Sequence, residues 1–220
     1  MRTRFSDRKE AGRMLAKLLT KYAERPNVLV LGLPRGGVPV AYEVAQSIKA
    51  PLDVFVVRKL GVPGREELAM GAIASGGVRV LNATVINALR ISDDAINAVA
   101  EYELQELQRR ERAYRDQRSA LEVRGRTVIL VDDGIATGST MRAAIKALRQ
   151  REAARIVVAT PTIAWSTADE MEAEVDELVS VMRPMDFTGV GQWYDNFSQT
   201  SDREVRRLLE KAGEVNSANP

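Results

Sequence analysis

Val128–Thr140 reads VILVDDGIATGST. The apolar run Val128–Val131 has the length and character of a buried strand, and it delivers two adjacent carboxylates, Asp132 and Asp133, to its C-terminal end. After two more residues a small, hydroxyl-rich turn, Ala136–Thr140, opens directly into a helix. Alanine and glycine let backbone approach an anion closely, and successive N–H groups at a helix N-terminus cradle a phosphate. Thr137, Ser139 and Thr140 add hydroxyl donors. Ionised carboxylates accept hydrogen bonds from a vicinal diol. A phosphate and a diol about one sugar apart describe a ribose 5-phosphate. A plainer alternative stays open, in which the turn merely caps the helix and the acidic pair solvates the strand end. There is no GxxxxGK[ST], and no GxGxxG after a strand, so neither a P-loop NTPase nor a dinucleotide fold of that type is supported.

Outward from this stretch, short apolar runs alternate with helical patterns. Ser6 is the expected cap of a first helix carrying Ala11, Met14, Leu15, Leu18, Leu19 and Tyr22, ended near Pro26. Val28–Leu31 reads as a strand, Gly32–Gly37 (GLPRGG) as a turn and residues 38–49 as a helix. Leu52–Val57 reads as one strand. Residues 58–77 hold six glycines and prolines that break regular patterning, and we expect a mobile excursion with a hairpin there, followed by a short strand at Val78–Leu81. A long polar helix is expected from Ser92, its cap, to about Arg118, with Asp93 and Asp94 in its first turn. Ile96, Val99, Leu104 and Leu107 are its apolar positions, and its charged C-terminal half reads as solvated surface. Strands at Thr127–Val131, Arg155–Ala159 and Glu177–Val181 then alternate with helices at Thr140–Gln150 and Ser166–Ala173. Asp202–Ala212 closes as a helix, ahead of a frayed NSANP tail. The alternation predicts an α/β fold with a parallel sheet flanked by helices on both faces, its ligand edge at the strand C-termini.

The 220 residues are 45% hydrophobic, enough for a sizeable core, and 32 basic against 30 acidic residues give a formal charge of +2. That balance gives no reason to expect nucleic-acid binding. The chain has neither cysteine nor histidine. Disulfides, Cys/His zinc sites, thiol nucleophiles and histidine bases are therefore excluded. What remains is chemistry run by carboxylates, Lys, Arg, hydroxyls, backbone amides and hard cations. No apolar run has the length of a membrane span, and the charged N-terminus lacks a signal-like apolar core, so a cytoplasmic protein with no membrane partner is expected.

VILVDDGIATGST resembles the thirteen-residue phosphoribosyl pyrophosphate (PRPP) signature of the type I phosphoribosyltransferases, with strand, acidic pair and TG-x-T turn in register. By that resemblance Asp132 and Asp133 hold the ribose hydroxyls, and Ala136, Thr137, Gly138, Ser139 and Thr140 hold the 5-phosphate. GLPRGG lies where the family has its pyrophosphate loop, which implicates Pro34, Arg35, Gly36 and Gly37. Arg58-Lys59 matches the basic pair that precedes the family's catalytic lid, and LGVPGREELAMGAIA would supply that lid. PMDFTGVGQWYDNF resembles the hood over the acceptor, with Phe187, Trp193 and Tyr194 as stacking rings and Asp195 after a VG turn. RKLGVPGREELAMGA with VGQWYDNFSQTSDREV further resembles a stand-alone bacterial phosphoribosyltransferase group whose acceptor is generally unassigned.

The resemblance implies a Rossmann-like core over residues 1–183, including a lid at about 58–77, with a small hood and C-terminal helix over 184–220 in the same domain. It implies transfer of phosphoribose from PRPP to a nitrogen of a nucleobase-like acceptor, with release of pyrophosphate, in nucleotide salvage or related metabolism. Mg²⁺ is the implied cofactor, leaning indirectly on Asp132 or Asp133, and a homodimer is the implied assembly. Hypoxanthine-guanine members carry an Asp just before the signature TG, where this chain has Ala136, as adenine and uracil members do. If an acid/base residue is needed, Glu66 or Glu67 on the lid is the candidate. The alternatives are a PRPP-sensing regulator of the same fold and an enzyme of PRPP synthesis or hydrolysis.

Overall fold

A computed structural model describes residues 4–115, 119–120 and 122–217. The predicted helix end at Arg118 and the last three residues of the tail lie outside them. The elements, in order, are α1 Arg8–Leu18, β1 Val28–Gly32, α2 Gly37–Ile48, β2 Leu52–Val54, β3 Val57–Val62, β4 Arg65–Ala74, β5 Val78–Leu81, α3 Ala83–Leu89 and α4 Asp93–Arg115. Then follow β6 Thr127–Val131, α5 Ser139–Gln150, β7 Arg155–Thr162, α6 Trp165–Glu172, β8 Glu177–Met182 and α7 Asp202–Ser217.

Five strands pair in parallel in the order β2-β1-β6-β7-β8, which is the expected α/β sheet. Alternation along the strands sorts side chains to two cores. Val28, Val30, Ile129, Val131, Val157 and Ala159 face one cluster, which includes residues of α1, α2 and α7. Leu29, Leu31, Val128, Leu130, Ile156 and Val158 face the other, with residues of α5 and α6. Strands covered on both faces read as unbroken apolar runs, which is why β1 and β6 stand out in the sequence. After β1 the chain passes through α2 to β2 at one edge, whereas β6, β7 and β8 build out on the other side. The C-terminal ends of β1 and β6 therefore flank the point where winding reverses, the place where such sheets bind ligands. Gly32 pairs with Val131 there, so the GLPRGG turn and the acidic pair leave the sheet side by side.

Three expectations are corrected. Leu52–Val57 is two strands, because β2 ends at Val54 and Val57 begins β3 in a separate antiparallel sheet, β3-β4-β5. The handover is made by Phe55 N–H donating to the Gly32 carbonyl at 3.0 Å and Ser75 N–H to the Val56 carbonyl at 2.8 Å. An unbroken apolar run carries no mark of where its partner changes. Residues 58–77 hold the expected hairpin, but as regular paired strands rather than an irregular excursion, and β4 alone runs for ten residues. Gly61 sits at a register shift and Gly71 opposite Leu81, inside paired strands rather than in turns. The C-terminal half of α4 is not all solvated: Tyr114 and Arg115 are buried, and Arg115 Nε donates to Asp53 at 2.9 and 3.0 Å.

Two smaller differences are local. The α1 N-cap is Asp7, whose carboxylate accepts the Glu10 N–H at 2.8 Å, and Ser6 Oγ donates to Glu10 instead. The short α3 buries no residue, so no apolar stripe announces it. Among the described residues no helix is long and apolar enough to cross a membrane.

Candidate active site

The turn expected to take a phosphate is built from the end of β6. Gly138 caps α5 at φ +74°, a left-handed conformation that glycine adopts without penalty. The carbonyls of the turn are already engaged: Ala136 accepts from Thr167 Oγ1 at 2.5 Å and Thr137 from Arg142 Nη1 at 2.8 Å. Glu170 and Glu174 hold Arg142, each at 2.7 Å. No acceptor among the described residues takes the amides of Thr137, Gly138, Ser139 or Thr140. Carbonyls tied back with amides left over, at a helix N-terminus, make a concave anion receptor. Thr137 Oγ1 and Ser139 Oγ lie 3.3 Å apart on its exposed rim.

The two aspartates, which the sequence presents as equivalent, occupy different environments. Asp133 is buried and accepts from Arg8 Nε at 2.7 Å. Its carbonyl accepts from the Tyr194 hydroxyl at 2.5 Å. Asp132 is half-buried and accepts the Asp133 N–H at 2.9 Å. Desolvation, reinforced by the neighbouring Asp133 charge, pushes the Asp132 carboxyl well above the usual carboxylate range. Burial also raises Asp133, against the pull of the Arg8 guanidinium. The Tyr194 phenol is pushed up by burial and by the Asp133 charge.

The GLPRGG turn packs directly on this pair. A Cβ at Gly36 would fall 2.6 Å from Asp133 Cγ, so only glycine admits the carboxylate at that spot. The Pro34–Arg35 peptide is cis. Arg35 is half-exposed and lies 3.8 Å from Asp202 of α7.

The antiparallel sheet brings some of its predicted residues to the site and not others. Lys59 lines a cavity of about 550 Å³ together with Ser139 and Thr140 at the N-terminus of α5. Arg58 points its guanidinium instead to Glu103 of α4, 2.7 Å from Nε. Glu66 and Glu67 line a different cleft beside α4. Glu67 is fully exposed and lies 3.5 Å from Lys59 Nζ.

In the hood, Phe187 and Trp193 pair with ring centroids 6.0 Å apart and keep partial exposure, and Asp195 is exposed. Tyr194 is buried against Phe5 and its hydroxyl is committed to Asp133, so its ring has no free face to offer an acceptor. Two organising residues are absent from the sequence reading. Phe5 is buried, and the Asp195 N–H donates to its carbonyl at 2.8 Å. Arg8 reaches Asp133 across 125 positions of sequence. Neither belongs to a motif, and long-range partners leave no local signal.

The phosphoribosyl transferase domain model matches residues 6–191. The chain belongs to the phosphoribosyltransferase family. Two curated Mycobacterium tuberculosis proteins, from strains CDC 1551 and H37Rv, are provisionally named phosphoribosyl transferases. Each is 48% identical over 208 residues, which is 94% of this chain. The chain spans about half, 47%, of the length of these curated relatives. A crystal structure of TT1426 from Thermus thermophilus is similar with a TM-score of 0.83 at 40% identity, covering 94% of this phosphoribosyltransferase chain and 98% of that one.

Proposed function

We propose that the chain moves the 5-phosphoribosyl group of PRPP to a nitrogen of a nucleobase-like acceptor, releasing pyrophosphate, as a step of nucleotide salvage. The observation that carries this reading is convergence at one sheet edge: the amide cradle of Thr137–Thr140, the acidic pair, and a glycine turn packed on Asp133. The cradle would take the 5-phosphate, with Thr137, Ser139 and Thr140 hydroxyls as further donors. Asp132, the less buried member of the pair, would accept from the ribose diol, while Asp133 sets its position and charge. Arg35 and Lys59 would meet the charge that gathers on departing pyrophosphate. Arg58 would join them on leaving Glu103 as the β3–β4 hairpin closes, and the closed hairpin would keep water from an oxocarbenium-like ribose. Phe187 and Trp193 are the hood rings with surface for a planar acceptor.

Among the described residues no group of three or more acidic side chains is placed to hold a metal ion. A single carboxylate fits Mg²⁺, which keeps most of its waters and takes few protein ligands. Asp132 would contact it through water or the diol, and the bound ion would neutralise pyrophosphate charge. The decisive experiment is calorimetry of PRPP with and without Mg²⁺, followed by pyrophosphate release over a panel of bases. Magnesium-dependent binding with turnover on one base supports the reading. Binding without turnover on any base moves the protein to a PRPP-sensing regulator, and no binding overturns the site.

A further inference from the structure

Asp133 is buried beside a second carboxylate, and a buried acidic pair keeps one arrangement only if a cation and hydrogen bonds are held against it. Arg8, from the first turn of α1, is that cation. Its Nε meets Asp133 Oδ2 at 2.7 Å, and each side chain keeps 12% of its surface. Three further contacts fix the guanidinium. Its Nη1 donates to the Ser198 carbonyl at 2.7 Å, and its Cζ lies 4.1 Å from the Phe197 ring centroid and 5.9 Å from that of Tyr194. Tyr194 in turn donates to the Asp133 carbonyl. One side chain thus joins the N-terminal helix, the end of β6 and the end of the hood.

We propose that Arg8 is a positioning residue for PRPP, holding the Asp133 carboxylate in its orientation and locking the hood segment 194–198 onto the acidic pair. This rests on the ribose assignment given above. Arg8 touches no ligand in this scheme; it acts through Asp133. The groups facing Asp133 are Arg8 from α1, Asp132 beside it and the Tyr194 phenol from the hood. Of these only Arg8 is a cation, so its loss removes the guanidinium held against Asp133 and the tie to the Ser198 carbonyl.

The test is PRPP affinity with Mg²⁺, measured by calorimetry on wild type, Arg8→Lys and Arg8→Gln. A charge-assisted contact is worth roughly tenfold or more in affinity. Arg8→Gln is expected to bind PRPP more than about tenfold weaker. Arg8→Lys keeps the charge but lacks the second donor to Ser198 and the planar stack, so it should recover part of that loss. Arg8→Gln that is folded, by near-ultraviolet circular dichroism, and binds like wild type overturns the proposal. Should Arg8→Gln not fold, Arg8→Lys decides, and wild-type affinity overturns it. Wild type that binds no PRPP defeats the ribose assignment itself, an outcome separate from a silent Arg8 substitution.

Discussion

The parallel and antiparallel sheets both contribute to the site, on opposite terms. Just past the end of the parallel sheet Asp133 is buried and partnered with Arg8, beyond strands whose every residue is buried. On the antiparallel sheet Arg58 is held to Glu103, but Lys59 and Glu67 are solvated, on partly exposed strands. A buried acidic pair needs a frame that does not relax, and two-sided burial supplies one. Lys59 and Glu67 stay in water, where little structure depends on them. Substitutions at the first region should therefore change stability and ligand binding together, and at the second ligand binding alone.

The largest effect is expected from bulk where the glycine turn meets the pair. Gly36→Val forces its side chain into the space of the Asp133 carboxylate. Overpacking of this kind costs about 1–3 kcal/mol or more, and it should remove PRPP binding as well. Gly64→Val is the control from the other sheet. It sits at φ +74° with nothing within 4 Å, so its cost is only the conformational ~1–2 kcal/mol. Urea unfolding and PRPP calorimetry on both variants check this. Equal losses, or PRPP binding retained in Gly36→Val, would break the distinction between the two sheets.

These same two regions divide what the sequence discloses. Strand β6, the acidic pair and the turn into α5 are legible because one short segment contains strand, charge and helix start. Two-sided burial also makes β1 and β7 continuous apolar runs. The extent of the antiparallel sheet is hidden, although a hairpin and the strand Val78–Leu81 are legible, because Gly61 and Gly71 look like breakers while pairing across the hairpin is what makes the segment regular. The difference between Asp132 and Asp133 is invisible for a related reason. It depends on Arg8 and Tyr194, which lie 125 and 61 positions away. Burial of Arg115 against Asp53, 62 positions apart, is hidden in the same way.

A middle-sized effect, of opposite sign for stability and binding, should follow from removing the less buried carboxylate. The Asp132 pKa is raised in the folded chain, so the unfolded chain binds fewer protons above the ordinary carboxylate value. Stability therefore falls as pH rises from about 4 through the folded pKa. Asp132→Asn abolishes that dependence while keeping an acceptor for the Asp133 N–H. Its thermal midpoint should match wild type near pH 3–4 and exceed it at pH 7, by roughly 2–4 °C for each kcal/mol regained, while PRPP affinity drops. A variant that melts below wild type at pH 7 would mean that Asp132 is stabilising as an anion, and the frame would not be bearing the strain assigned to it.

The smallest structural effect belongs to Lys59. Its ammonium stands 3.5 Å from the fully exposed Glu67 carboxylate, in water that screens the pair. Lys59→Ala should leave the thermal midpoint where it is. Its consequence should appear only with ligand, because Lys59 lines the same cavity as Ser139 and Thr140. If Lys59 meets pyrophosphate, the variant should lose affinity for PRPP and for pyrophosphate while keeping that for ribose 5-phosphate, which carries no pyrophosphate. Equal loss for all three would put Lys59 at the phosphate turn instead, making the antiparallel sheet part of the rigid receptor. No loss for any would leave the sheet outside the site, and the division of labour between the two sheets would fall.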